Sequence, residues 1–80
     1  MAEQTFKGTI TDDLNNYKKE GSYVTGAAPN QPSKYSVWAG FLRVFNIGNA
    51  AIQIWFTDTP STEIFIRLYF NGTWLDWRTI

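Results

Sequence analysis

The sequence predicts a mainly β chain, a small antiparallel meander or sandwich-like knob with one short helical turn near its N-terminus. Three observations predict it. Residues 41–80 are runs of β-branched and aromatic residues with few interruptions. Two dipeptides, Gly48-Asn49 and Asn71-Gly72, separate such runs at hairpin spacing. Residues 1–40, by contrast, are polar and broken by glycine and proline.

Bulk properties narrow the function. Eighty residues make one domain with a modest core. There is no cysteine and no histidine, so disulfides are excluded, zinc loses its usual ligands, and no cofactor is expected. Seven acidic and seven basic residues give a net charge of zero, with no basic block to follow phosphates. Nucleic acid is therefore not expected as a partner. Membrane insertion is not expected either, because no apolar run approaches the roughly 20 residues of a span. The opening MAEQTFKGTITDD is not a signal peptide. Met1-Ala2 reads as a start joined to the middle of a longer protein, so residues 1–11 are expected to be a lead-in or stalk remnant and residues 12–80 the domain.

Taken in order, TDDLNNYKKEG predicts one to two helical turns capped by Thr11 or Asp12, with Lys18 and Lys19 late and Gly21 as a left-handed stop. GSYVTG is a short glycine-bounded strand, expected with the helical turn to close over one face of the meander, and AAPNQPSKYS is a loop set by its two prolines. FLRVFNI and AAIQIWFT flank Gly48-Asn49, which sets Val44 opposite Gln53 and Leu42 opposite Trp55. DTPST turns the chain into EIFIRLYF, and the register across that turn stays open. Asn71-Gly72 then sets Tyr69 opposite Trp74, Leu68 opposite Leu75, Arg67 opposite Asp76 and Ile66 opposite Trp77. Arg67 and Asp76 are accordingly expected to form a structural ion pair.

Aromatic residues make up 18% of the chain, and they unbalance the strands. A half-buried strand alternates apolar and polar residues. Here Phe41, Phe45, Trp55, Phe65, Tyr69 and Trp74 fall largely opposite the aliphatic set, so both faces are apolar. The first half of the chain can cover only one of them. The other predicts an interaction surface, with Phe65, Tyr69 and Trp74 as candidate subunit-interface residues.

Seven motifs come in an order that resembles knob domains of phage tail fibres, the pyocin-knob type. They are Asp13-Leu14-Asn15, Gly21-x-Tyr23, Asn30-x-Pro32, Gly40-x-Leu42-x-Val44, Gln53-Ile54-x-Phe56, Ile64-x-x-Arg67 and Trp74-x-x-Trp77. The resemblance covers roughly residues 12–80. It implies a β knob that assembles as a homotrimer at or near a fibre tip, in a virion or phage-derived particle. There it contributes to attachment to a bacterial surface glycan. It carries over no catalytic or sugar-contacting residue. The stretch SKYSVWAG follows none of the motifs.

Catalysis is not expected. No His or Cys can serve a nucleophile, and adjacency alone supports no Ser33-Lys34 relay. Asp58, Glu63 and Asp76 are poor candidates for a paired-carboxylate cleft in so small a chain. DDLNN lacks the spacing and glycine of a calcium loop, so capping explains it. Asn71-Gly72-Thr73 matches a glycosylation pattern, but Asn-Gly serves the turn. Arg43 and Gln53, mid-strand among apolar neighbours, face solvent or a subunit contact, or else form a polar layer or sugar site. Tyr35 and Trp38 are the candidate ligand-binding residues, because flat rings in a loop can stack on pyranose faces. Trp55 and Trp77 are assigned to packing. A monomeric carbohydrate-binding module and a trimerisation cap without a receptor are the alternatives to a receptor-binding knob.

Overall fold

The two hairpin dipeptides close as their backbone chemistry requires. Gly48 has φ +92° and Asn49 does not share it, the type II′ pattern. The turn is shut by Ile47 N–H donating to the Ala50 carbonyl at 2.9 Å. Asn71 (φ +55°) and Gly72 (φ +82°) give the type I′ pattern. Around them the computed structural model, which describes residues 6–57, 59 and 63–80, forms one mixed sheet in the order β1-β2-β3-β4-β5. Its strands are β1 (Phe6–Ile10), β2 (Gly21–Gly26), β3 (Ala39–Asn46), β4 (Ala50–Thr57) and β5 (Ile64–Phe70). Two short strands, β6 (Thr73–Trp74) and β7 (Arg78–Thr79), both pair with β5. β1 runs parallel to β2, and all other pairs are antiparallel.

The mainly β, antiparallel meander read from the sequence is the fold of the chain. Val44 pairs with Gln53, Leu42 with Trp55 and Tyr69 with Trp74, all as expected. Across the DTPST turn, of which only Thr59 is described, the open register resolves with Trp55 opposite Phe65 and Gln53 opposite Arg67. Four expectations change. The short strand Gly21–Gly26 does not close over a face; it joins the sheet beside β3, extending the meander to the N-terminal side. Phe6–Ile10, within the expected lead-in, is an edge strand of that sheet. The expected helix shrinks to a single 3₁₀ turn, Leu14–Asn16, capped by Asp13, whose side chain accepts from Asn15 N–H at 2.8 Å. With that helix goes its expected stop, since Gly21 begins β2.

The fourth change is at the C-terminus. Tyr69 faces Trp74 but Ile66 faces Arg78, not Trp77. Three residues, Leu75 to Trp77, therefore span the two of β5, Arg67 and Leu68. One extra residue in a strand bends it and turns later side chains to the other face. Trp77 moves from the aliphatic side to the side of Arg67.

The core lies between the sheet and the loops of the first half. Leu14, Tyr23, Ala28, Leu42, Val44, Trp55 and Phe65 form it, with Ile10, Tyr17, Tyr35 and Trp77 packed at its edge. Trp55 is fully buried, and its indole N–H donates to the Thr25 hydroxyl at 2.8 Å. To reach Thr25 on β2 the ring must cross β3, and it does so over Gly40. A Cβ at Gly40 would lie 2.3 Å from that ring and 2.7 Å from the Phe56 carbonyl oxygen. Glycine here is a matter of space.

Gly40→Ala should therefore lower the unfolding free energy by about 3 kcal/mol or more, the top of the roughly 1–3 kcal/mol range for overpacking a filled core, because one clash is with backbone. Gly48→Ala, where no atom lies within 4 Å of the added carbon, should cost only the left-handed penalty of about 1–2 kcal/mol. Urea unfolding of the two variants checks the order, and a smaller loss for Gly40→Ala would contradict the assigned close approach.

Candidate functional site

The sheet presents two unlike faces. On the covered face Gln53 is fully buried at mid-strand. Its amide nitrogen donates to the carbonyls of Leu14 (2.7 Å) and Tyr17 (3.0 Å), and its oxygen accepts from Arg67 Nε at 2.9 Å. Gln53 thus ties the first 3₁₀ turn to the sheet and orients Arg67. This answers the choice left open for Gln53, since its partners are backbone carbonyls of the same chain.

Arg67 is 7% exposed. Its guanidinium carbon stands 4.2 Å from the Trp74 ring centroid and 4.6 Å from that of Trp77, so the cation lies between two indoles. Both indoles are held in place. Trp74 Nε1 donates to the Asn15 carbonyl (3.2 Å) and Trp77 Nε1 to the Asn30 carbonyl (2.8 Å). Burial pushes the guanidinium down to about 10, with Asp13 opposing that shift, so the group stays charged at neutral pH. The expected Arg67–Asp76 ion pair is absent; the extra residue at Leu75–Trp77 breaks that register, and Asp76 is exposed. Arg67 takes Gln53 and the two tryptophans instead.

These groups line a cavity of about 400 Å³ with Asn15, Asn30, Gln31, Ser33, Leu75 and Asp76. Asp13, behind it, accepts from Asn30 Nδ2 (2.8 Å) and from Asn15 N–H, and these bonds hold its carboxyl below the usual carboxylate range.

Tyr35 and Trp38, the candidate ligand-binding pair, do come together, edge to face at 5.9 Å. Tyr35 ends the second 3₁₀ turn, Ser33–Tyr35, and is half-buried against Trp55 and Phe65. Its hydroxyl donates to Glu63, which also pairs with Lys34 at 2.6 Å. Trp38 is 46% exposed. Of the carboxylates considered for a cleft, Glu63 is thus engaged, and Asp58 lies outside the described residues.

The candidate interface residues all fall on the covered face. Phe65 is buried in the core, 6.3 Å from Trp55. Tyr69 and Trp74 are half-buried and pack on each other at 5.1 Å, with Lys18 over the Tyr69 ring. The chain's own N-terminal half covers them. The physical reason is the register across DTPST, which sets Phe65 opposite Trp55 and so puts it on the face that the loops cover.

Among the described residues nothing covers the other face in this way. The register rows Val24, Phe41, Phe56, Ile64 and Ser22, Arg43, Ile54, Ile66 cross it, and Phe45, Ile52 and Leu68 form the next row. Phe41 and Phe56 stack at 5.2 Å. Arg43 crosses this surface with its guanidinium carbon 4.4 Å from the Phe45 ring centroid and pairs with Glu20 at 3.4 Å. Its Nε and Nη1 are buried and have no hydrogen-bond partner among the described residues.

A one-sheet β knob with one loop-covered face and one open apolar face is therefore the class that the geometry defines. Its fold is that of a segment of the P. aeruginosa R1 pyocin fibre, in a structure comprising C-terminal residues 323–701. The two align with a TM-score of 0.78 over 98% of this chain, at 23% identity. The match covers 22% of that fibre fragment, so the chain spans about a fifth of the structure it resembles. No family model and no curated protein matches the sequence.

Two predictions come from the covered face. Gln53→Met leaves Arg67 Nε and two carbonyls without partners and should cost about 2–5 kcal/mol. Adding Arg67→Met should recover at least about 1 kcal/mol of that sum in a double-mutant cycle, because the buried charge goes with its partner. Additive losses would mean the pair is not coupled. Asp13 has a depressed folded pKa, so its contribution to stability is present above its ordinary value of 3.8 and is lost as pH falls through the folded value. Asn30→Ala removes the largest cause of that shift. Unfolding curves between pH 2 and 6 should then depend less on pH in the variant than in the parent chain.

Proposed function

We propose that this chain is a non-enzymatic tail-fibre knob module that packs with two further copies of itself as a homotrimer. In a virion or phage-derived particle it would contribute to attachment to bacterial surface glycans. The observation that carries the reading is the open face of the sheet. Phe41, Phe45, Ile64 and Phe70 each remain more than a third exposed, side by side with half-buried Ile52, Ile54, Ile66 and Leu68. Contiguous apolar surface of this kind is a mark of an interface. A second copy is the occupant the composition favours. The chain is electrically neutral, so copies carry no net repulsion, and Arg43 on that face is already paired with Glu20.

The fold likeness to a segment of a pyocin fibre supports the fibre setting; the number three is what the sequence resemblance to fibre knobs implies. The loops, indoles and cavity of the opposite face supply the aromatic and hydrogen-bonding groups that carbohydrate sites use. Self-association through one face leaves the other free for a ligand. No group in this arrangement is assigned a catalytic role.

Sedimentation equilibrium over a hundredfold concentration range tests the assembly. The parent chain should sediment at three times its 9.2 kDa mass. Ile54→Glu, placed in the middle row of the open face, should give a folded monomer with unchanged circular dichroism. A parent chain that stays monomeric throughout, or an Ile54→Glu variant that still forms the trimer, would overturn the assignment of this face.

A further inference from the structure

Two residues that line the Trp74–Trp77 cavity each carry a polar atom without a partner among the described residues. Arg67 Nη2 and Asn15 Oδ1 are both buried and unbonded. A buried polar group left unpaired costs about 1–3 kcal/mol, more for a charged one. Gln31, the Asn30 amide nitrogen and the two indoles cannot relieve them, because those groups are already engaged. Gln31 Oε1 accepts from Ala28 N–H, and its amide nitrogen donates to the Tyr35 and Trp38 carbonyls. Asn30 Nδ2 is held by Asp13, and both indole N–H groups are held by backbone. What the cavity offers a guest is one cationic donor at Arg67, one amide acceptor at Asn15, the Asp76 carboxylate and the Ser33 hydroxyl. Leu75, half exposed at the rim, and the two indoles add apolar wall.

We propose that this cavity is a binding subsite for a neutral pyranose, one ring of a bacterial surface polysaccharide. The inference rests on the glycan-attachment reading and gives it a place and a ligand class. A sugar hydroxyl both donates and accepts, so adjacent hydroxyls can satisfy Arg67 Nη2 and Asn15 Oδ1 together, with Asp76 accepting from a third. The ring's C–H surface suits Leu75 and the tryptophan edges. Charge decides between neutral and acidic sugars. The single cation faces Asp76 in the wall and Asp13 behind Asn30, so an anion entering the cavity meets two carboxylates for one guanidinium. A guest without charge meets no such repulsion. The volume of about 400 Å³ falls within the range of small-ligand sites.

The test uses the folded chain labelled with ¹⁵N and a panel of methyl glycosides of neutral hexoses, 6-deoxyhexoses and N-acetylhexosamines, with methyl glucuronide as the acidic comparison. At least one neutral glycoside should shift the indole N–H signals of Trp74 and Trp77 saturably while leaving Trp55 in place. Asp76→Ala and Asn15→Ala change side chains that hold no other element, and each should weaken that binding by roughly tenfold or more. Retention of the chain on purified bacterial surface polysaccharides is measured in parallel. If no neutral glycoside moves Trp74 or Trp77 while polysaccharide still retains the chain, the subsite is wrong and glycan attachment survives elsewhere on the surface. If polysaccharide does not retain the chain either, the attachment reading falls with it. Tighter binding of the glucuronide at these indoles would overturn the charge argument, and undiminished affinity in both variants would overturn the residue assignment.

Discussion

The carboxamide of Gln53 is the interaction on which the rest of the covered face depends. It sits at the middle of the central strand β4 and bonds to three things at once: the carbonyls of Leu14 and Tyr17 and the guanidinium of Arg67. The first two fix the N-terminal turn over the sheet, which buries Leu14 and brings Asn15 to the indole of Trp74. The third holds Arg67 where Trp74 and Trp77 can enclose it. A hydrophobic residue at position 53 would satisfy none of these groups. A single polar side chain therefore specifies how the irregular half of the chain docks on the regular half.

The second organising constraint is arithmetic. One sheet has two faces, and a chain of 80 residues has one set of loops to cover them. Those loops go to the side of Gln53 and Trp55, whose polar atoms need partners from outside the sheet. The side of Ile54 and Phe56 is mostly apolar, and Arg43 on it pairs with Glu20 while the Arg43 Nε and Nη1 stay unpartnered among the described residues. It can wait for a surface brought by another molecule. The two faces thus differ in chemistry before they differ in use.

How much of this the sequence discloses depends on the range of the interaction. The hairpins were legible because Gly48-Asn49 and Asn71-Gly72 set their own φ angles locally, and the β3–β4 register followed to the residue. The choice of buried face was not legible. Aromatic and aliphatic residues alternate there, and both are apolar, so the period of two marks two faces without ranking them. Phe65 went to the core and not to an interface for that reason. Gln53 stood out as polar in mid-strand, yet its partners are backbone carbonyls 36 and 39 residues earlier, which no side-chain pattern reveals. The Arg67–Asp76 pairing failed on one extra residue at Leu75–Trp77. The Trp-x-x-Trp spacing was visible, but its function as two walls around Arg67 needed that irregularity.

The contacts that shut the cavity also have a place along the chain. The hairpins join neighbours in sequence, whereas Trp74 reaches Asn15 across 59 residues and Trp77 reaches Asn30 across 47. Each of these closes a long loop, an entropic cost that a hairpin contact does not carry and that grows only slowly with length. Both bonds run from an indole to a backbone carbonyl, so they depend on where the first-half loops lie and not on which side chains those loops carry. The walls around Arg67 are therefore built by the two ends of the chain together, and neither end alone defines the cavity.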